Sequence, residues 1–285
     1  MIKLCAFADE AGESLLSQID ALKSNNIGYI EIRNVDGKNV LDFSDDDVAC
    51  YKRQLDENGI KVWSIGSPLG KVDINENFEK YLEKVERIFE IAKMFSAKRI
   101  RGFSFFNAYQ NKEEVLKRLN VIGNLATQNG LLFCHENEKE IYGDSIDRVL
   151  EIAKSVPSIK LVYDPANYLQ CRESASEALK KTIDYTEYFH IKDVISKTEQ
   201  LVPSGYGDGD IDGLIKAVRG KDVVLTLEPH LKIFSGYGNI DNTQMKNKFE
   251  FNSNRQAFDF AVTSLKSIIL KNDYAEINGV FKEKK

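Results

Sequence analysis

A chain of 285 residues, 42% hydrophobic and 29% charged, has the composition of a soluble globular protein with a substantial core, as one large domain or two ordinary ones. Its net charge of −5, with acids and bases interspersed, provides no basic stripe to neutralise a phosphate backbone and weighs against a nucleic-acid partner. No segment approaches the roughly 20 apolar residues of a membrane span, and MIKLCAFADEAG is too briefly apolar for a signal peptide. A cytoplasmic protein with no membrane partner is expected. The scattered cysteines (Cys5, Cys50, Cys134 and Cys171) read as reduced thiols.

Short β-rich runs alternate with segments of helical period. Strand 2–8 (IKLCAFA) precedes helix SLLSQIDALKSNN, and strand 28–33 (GYIEIR) precedes SDDDVACYKRQLDENG. Strand 60–66 leads to FEKYLEKVERIFEIAKMF, strand 97–105 to KEEVLKRLNVIGNLATQNG, and strand 131–136 to DSIDRVLEIAKSV. Strands at 159–164, 187–192 and 222–228 complete eight, with a closing helix at about 253–271. Eight strands separated by helices imply parallel pairing and favour a single-domain (β/α)8 TIM barrel, with a doubly wound open sheet as the alternative. Residues 231–252, with Phe234, Tyr237, Phe249 and Phe251, form an excursion that could serve as a lid or subunit contact. The polar tail 272–285 is expected to fray.

Four strands of the second half end on a residue able to hold a hard or borderline metal ion: LLFCHENE on Glu136, IKLVYDPAN on Asp164, YFHIKD on His190 and VVLTLEPH on Glu228. This set suits one divalent ion (Mn²⁺, Mg²⁺, Co²⁺ or Zn²⁺). Barrel active sites assemble at the carboxyl ends of strands, so four consecutive strands would bring these side chains together. Side-chain parity agrees, since Leu132, Cys134 and Glu136 share one strand face, as do Val162 with Asp164 and Val224 and Thr226 with Glu228. The competing reading is that such acids cap the next helix or solvate a loop.

HENEKEIYGD, YDPANY, HIKD followed by PSGYGDGDID, and LEPH resemble the metal-dependent sugar-phosphate isomerase/epimerase superfamily, the xylose isomerase-like barrels. FADEAG, YIEIRNVDGKNV, SPLGK and IRGFSFF resemble the opening strands of its uncharacterised bacterial members, so the likeness spans about residues 3–270. The resemblance implies metal ligands at Glu136, Asp164, His190 and Glu228, with Glu136 and Glu228 doubling as acid/base groups. The ketose 3-epimerases of the superfamily place a substrate-binding histidine where this chain has Asn167. They also have an arginine a few residues after the metal histidine, where this chain offers Lys192 and Asp193.

Other residues of these segments have secondary roles. Lys71, Arg101, Asn167, Lys192 and His230 are candidate substrate contacts, and the cations point to an anionic group. Glu31 and Arg33 could face the barrel mouth. Glu138 is the rival base or ligand, with a salt bridge to a neighbouring lysine as its structural reading. His135 has the opposite parity to Glu136 and is expected to pack behind the site. Asp193 could hold a ligand from behind. PSGYGDGDID lacks GxxxxGK[ST] and reads as a flexible loop, not a nucleotide cradle, so no organic cofactor is expected.

The expected activity is isomerisation or epimerisation of a small sugar, sugar phosphate or sugar acid. A lyase dehydrating a keto-inositol or other polyol would use the same site. A DNA-repair endonuclease fits poorly with three histidines in the whole chain, and a non-catalytic barrel would not need all four ligand types. Homo-oligomerisation stays open.

Overall fold

The structure, a computed structural model, describes residues 1–235, 237–239 and 245–284. Its centre is a parallel sheet of β1 (Ile2–Ala6), β2 (Tyr29–Ile32), β3 (Lys61–Gly66), β4 (Arg99–Gly102), β5 (Leu132–Glu136), β6 (Ile159–Tyr163), β7 (Thr186–Ile191) and β8 (Val223–Leu227). Each strand pairs with its neighbours in chain order, and β8 closes on β1 in the register Ile2 to Val223 through Ala6 to Leu227. Closure excludes the doubly wound alternative and confirms the (β/α)8 barrel.

The outer layer comprises α1 (Leu15–Ser24), α2 (Asp45–Glu57), α3 (Phe78–Met94), α4 (Lys112–Gln128), α5 (Ile146–Ser155), α6 (Pro165–Gln170), α7 (Ala175–Thr182), α8 (Ile211–Ala217) and α9 (Asn254–Lys271). Serine side chains cap the amino ends of α1, α2, α5, α7 and α9, and Asp47 completes a capping box with Ser44. Among the described residues no helix is long and apolar enough to cross a membrane.

Because alternate strand residues face opposite sides of the sheet, the barrel has two cores. The larger lies between strands and helices. The smaller fills the lumen with Cys5, Cys134, Val162, Tyr188 and Val224, against which Tyr29, Trp63 and Leu132 pack. All four cysteines are free.

The tail does not fray. Tyr274–Ile277 (β9) and Val280–Glu283 (β10) form an antiparallel hairpin, and β10 pairs with Ile2 and Lys3 of β1. Asn278 (φ 50°) and Gly279 (φ 75°) supply the two left-handed residues of a tight hairpin turn. Tyr274 and Phe281 are fully buried. Since β1 reaches β2 only at Cys5 and Ala6, the hairpin covers the stretch of β1 left open at the barrel bottom.

In the excursion after β8, Phe234 and Tyr237 lie against the His230 ring, at 5.7 and 5.5 Å. Phe249 and Phe251 instead join Tyr206 and Phe260 in a separate aromatic cluster. Positions 236 and 240–244 of the excursion lie outside the described residues.

Candidate metal centre

The site is built on the lumen core. Two residues beyond Cys134, Val162 and Tyr188 come Glu136, Asp164 and His190; four beyond Val224 comes Glu228. Strand parity therefore points all four inward above the apolar plug. Their ligand atoms lie within 4.8 Å of one another, and all four residues are buried.

His190 Nδ1 faces Glu136 Oε1 at 2.9 Å and Glu228 Oε2 at 3.3 Å. The other oxygen of each glutamate is held by an arginine, Arg101 Nε on Glu136 Oε2 at 3.3 Å and Arg33 on Glu228 Oε1 at 2.8 Å. Asp164 serves two purposes. Its Oδ1 accepts from Asn167 N at 3.0 Å and caps α6, which Pro165 opens, while Oδ2 stays on the site side. The capping reading is met by Oδ1, and Oδ2 is left on the site side for the ligand reading. Asn137, which no sequence signal singled out, exchanges two 2.9 Å hydrogen bonds with the Asp164 backbone and ties the end of β5 to that of β6.

Three carboxylate oxygens and one imidazole nitrogen fit a divalent ion. The fit has a second support. Asp164 Oδ2 and Glu228 Oε2 are fully buried without a well-formed hydrogen bond; Lys192 Nζ approaches them at 3.0 and 3.7 Å. A divalent ion would join Lys192 in compensating these buried carboxylate oxygens. A neighbouring trio, Glu10, Glu228 and His230, is equally close, but Arg33 already supplies positive charge there through Glu228 at 2.8 Å and Glu10 at 3.5 Å.

The electrostatics follow from this crowding. Burial, then the charges of Glu136 and Glu228, push the Asp164 carboxyl up to about 7, with Lys192 opposing. Burial also raises Glu228, but Lys192, His190 and His230 outweigh it and hold that carboxyl well below its usual range. For His190 burial disfavours the charged ring, yet Glu136 and Glu31 carry it well above its ordinary value. His230 is shifted down, chiefly by burial.

The five residues expected to touch substrate all line one narrow cleft with Glu136, Glu138, Phe103 and Glu228. Their contacts differ. Lys71 pairs with Glu138 at 3.0 Å, so the rival acid makes the salt bridge and stands outside the ligand set. Gly70 (φ 89°) makes the turn that presents Lys71, since any β-carbon there would fall 2.2 Å from the Phe103 carbonyl oxygen. Asn167 Nδ2 donates to Asn137 O at 2.9 Å and leans on Glu136 Oε1 at 3.4 Å. His230 adopts φ 47°, and its N–H donates to Glu10 Oε2 at 2.7 Å.

Three expectations are revised. Arg33 points into the mouth, but its guanidinium is spent on Asp9 (2.9 Å), Glu10 and Glu228 beneath Phe234, so it is an internal ion pair. Asp193 backs no ligand. Its carboxylate instead accepts from the N–H groups of Gly205, Gly207 and Gly209 at 2.8 to 3.1 Å, because the chain turns back over it after β7. The glycine-rich loop is consequently anchored, not flexible: a β-carbon on Gly207 would meet Asp193 Oδ1 at 2.4 Å. His135 packs behind the site against Gly143, as its parity implied, and burial drives its pKa down to about 3. Asp9 and Glu10, at the end of β1, join the site although FADEAG gave no hint of their target.

Compared with known proteins, residues 19–243 match the family model described as the xylose isomerase-like TIM barrel. The chain belongs to that family. A curated 3-dehydroshikimate dehydratase of Bacillus anthracis is 22% identical over 181 residues, a match spanning 55% of this chain and 65% of the dehydratase. Among solved structures, the IOLI protein with a bound zinc atom superposes with a TM-score of 0.71 at 17% identity, covering 94% of this chain and 98% of its own. A D-psicose 3-epimerase solved in the presence of D-fructose gives 0.72 at 16%, covering 93% and 97%. At these identities the structural likeness establishes the fold.

Proposed function

We propose that this protein is a divalent-metal-dependent isomerase or epimerase of a small sugar, sugar phosphate or sugar acid. The observation carrying this reading is the matched pair of glutamates. Glu136 and Glu228 each turn one oxygen toward His190 Nδ1 and lodge the other on a buried arginine. Two carboxylates held at one small cleft can work as base and acid on a single carbon centre. Divalent neighbours in the same fold, zinc in the IOLI protein, are consistent with a metal held by Glu136, Asp164, His190 and Glu228.

When bound, a divalent ion there supplies Lewis acidity, easing negative charge onto the substrate carbonyl oxygen. The chain's own residues do the rest. Glu228 takes the proton as the C–H bond breaks and its electron pair moves toward the carbonyl. Glu136 returns a proton at the neighbouring carbon or the opposite face. Lys192 offers an ammonium to the developing oxyanion, and Lys71 and Arg101 hold an anionic group at the cleft edge. His230 and Asn167 orient hydroxyls.

A second reading, dehydration by a lyase, is favoured by Asn167, which stands where ketose 3-epimerases carry a histidine, and by the likeness to the 3-dehydroshikimate dehydratase. Proton removal would be shared, and a β-hydroxyl would leave as water. One experiment separates the two. Candidate sugars and sugar acids are incubated in D₂O with the metal-loaded protein and followed by NMR and mass spectrometry. Isomerisation or epimerisation gives a product of the substrate's formula with deuterium at carbon, whereas a lyase product lacks one water. Glu228→Gln is expected to slow exchange by about 10³-fold; undiminished exchange contradicts its role as base.

A further inference from the structure

His190 is gripped from both sides. Its Nδ1 faces the ligand set, while Nε2 lies 3.1 Å from Glu31 Oε2, and both residues have fully buried side chains. The second Glu31 oxygen is occupied as well. Tyr188 OH donates to Glu31 Oε1 at 2.8 Å, and Ser64 Oγ lies 3.1 Å from the same hydroxyl. The imidazole plane is fixed by edge-on contacts with Phe7 and Tyr188, at 5.2 and 5.5 Å. Carboxylates face both ring nitrogens, but only Nδ1 is turned to the ligand set, so an ion held there would take the Nδ1 lone pair while Glu31, which when ionised can only accept, takes the Nε2–H. Burying a carboxylate in the lumen is costly unless it is paired and hydrogen-bonded, and His190 and Tyr188 are the partners of Glu31.

We infer that Glu31 is the positioning residue of the metal centre, accepting the His190 Nε2–H and so aiming Nδ1 at the ligand set, with Tyr188 and Ser64 holding Glu31 in turn. The inference rests on the metal-centre reading above and adds to it a residue on β2, across the barrel from the ligand strands. Glu31 touches neither substrate nor ion. It acts through His190, aiming and enriching the donor nitrogen.

The test uses the full chain and zinc alone, titrated in competition with a chromophoric chelator, with long-range ¹H–¹⁵N NMR of the histidines. Wild type should bind zinc with His190 protonated at Nε2 and bare at Nδ1. Glu31→Gln keeps an acceptor oxygen without its charge and should weaken zinc binding about tenfold; Glu31→Leu, which removes the acceptor, should approach 100-fold and lose the protected Nε2–H signal. Tyr188→Phe frees only the far oxygen and should weaken binding less than Glu31→Gln. If Glu31→Leu does not fold, the isosteric Glu31→Gln carries the test. Unchanged zinc affinity in either Glu31 variant, or a zinc-loaded wild type in which His190 carries no proton on Nε2, overturns the inference. A wild type that takes up no zinc overturns the metal-centre reading instead, and the role of Glu31 is then decided by whether Glu31→Leu loses the protected Nε2–H signal that the metal-free wild type shows.

Discussion

At the bottom of the barrel lumen, Cys5, Cys134, Val162, Tyr188 and Val224 make a dry plug, and at the same end the β9–β10 hairpin pairs with β1. A few residues further along the same strands, Glu31, Glu136, Asp164, His190 and Glu228 crowd charge into an equally buried space. The bottom gains stability from hydrocarbon burial, and its loss should be felt in folding alone. The mouth holds carboxylates that are tolerable only because Arg33, Arg101 and Lys192 stand among them. Stability and chemistry are thus stacked along one axis, and substitutions should sort by height in the lumen.

Arg33 is where that division should break most visibly. It lies at the mouth, yet removing it leaves Asp9, Glu10 and Glu228 buried without their shared counter-charge. Arg33→Ala should cost about 3–5 kcal/mol in urea unfolding at neutral pH. The loss should shrink as the pH falls, because the stranded carboxylates take up protons. A loss below about 1 kcal/mol would mean that the ion pairs contribute nothing net.

The hairpin provides the opposite case. Phe281→Ala empties a fully buried site at the barrel bottom and should destabilise by about 3 kcal/mol, leaving solvent exchange by the folded protein unchanged. A fall in exchange rate at full folding would tie the hairpin to the mouth and blur the comparison.

Smaller and graded is the effect of pH on metal affinity. Asp164 is pushed up to about 7, so below that pH a proton would compete with an ion bound there. Apparent zinc affinity should fall about tenfold per pH unit below 7, since at least one proton is displaced for each ion bound. In the metal-free protein the sign is reversed for stability: this group favours folding at low pH, and that contribution is lost as pH rises through about 7. A pH-independent zinc affinity between pH 5 and about 7 would remove Asp164 from the ligand set.

Much of this centre was legible because its logic is local. Each candidate ligand ends an apolar run in step with the inward residues before it, so parity and the barrel rule sufficed to bring Glu136, Asp164, His190 and Glu228 together. The partners were not legible for the opposite reason. Glu31 meets His190 across 159 positions and Arg33 meets Glu228 across 195, pairings that no spacing rule encodes. Asp193 looked like a ligand's neighbour because its contact with three glycine N–H groups depends on how the loop folds back. The hairpin was readable in principle, since Asn278-Gly279 between Tyr274 and Phe281 is a turn signal, but the charges around it masked the alternation.

The account stands on four side chains forming one ion-binding centre, and metal stoichiometry tests that most directly. Equilibrium dialysis against Mn²⁺ or Zn²⁺ should find one ion bound per chain in the wild type and a loss of affinity of at least about 100-fold in His190→Ala that remains folded. A wild type that binds neither ion, or a His190→Ala protein that binds as tightly as its parent, would contradict it.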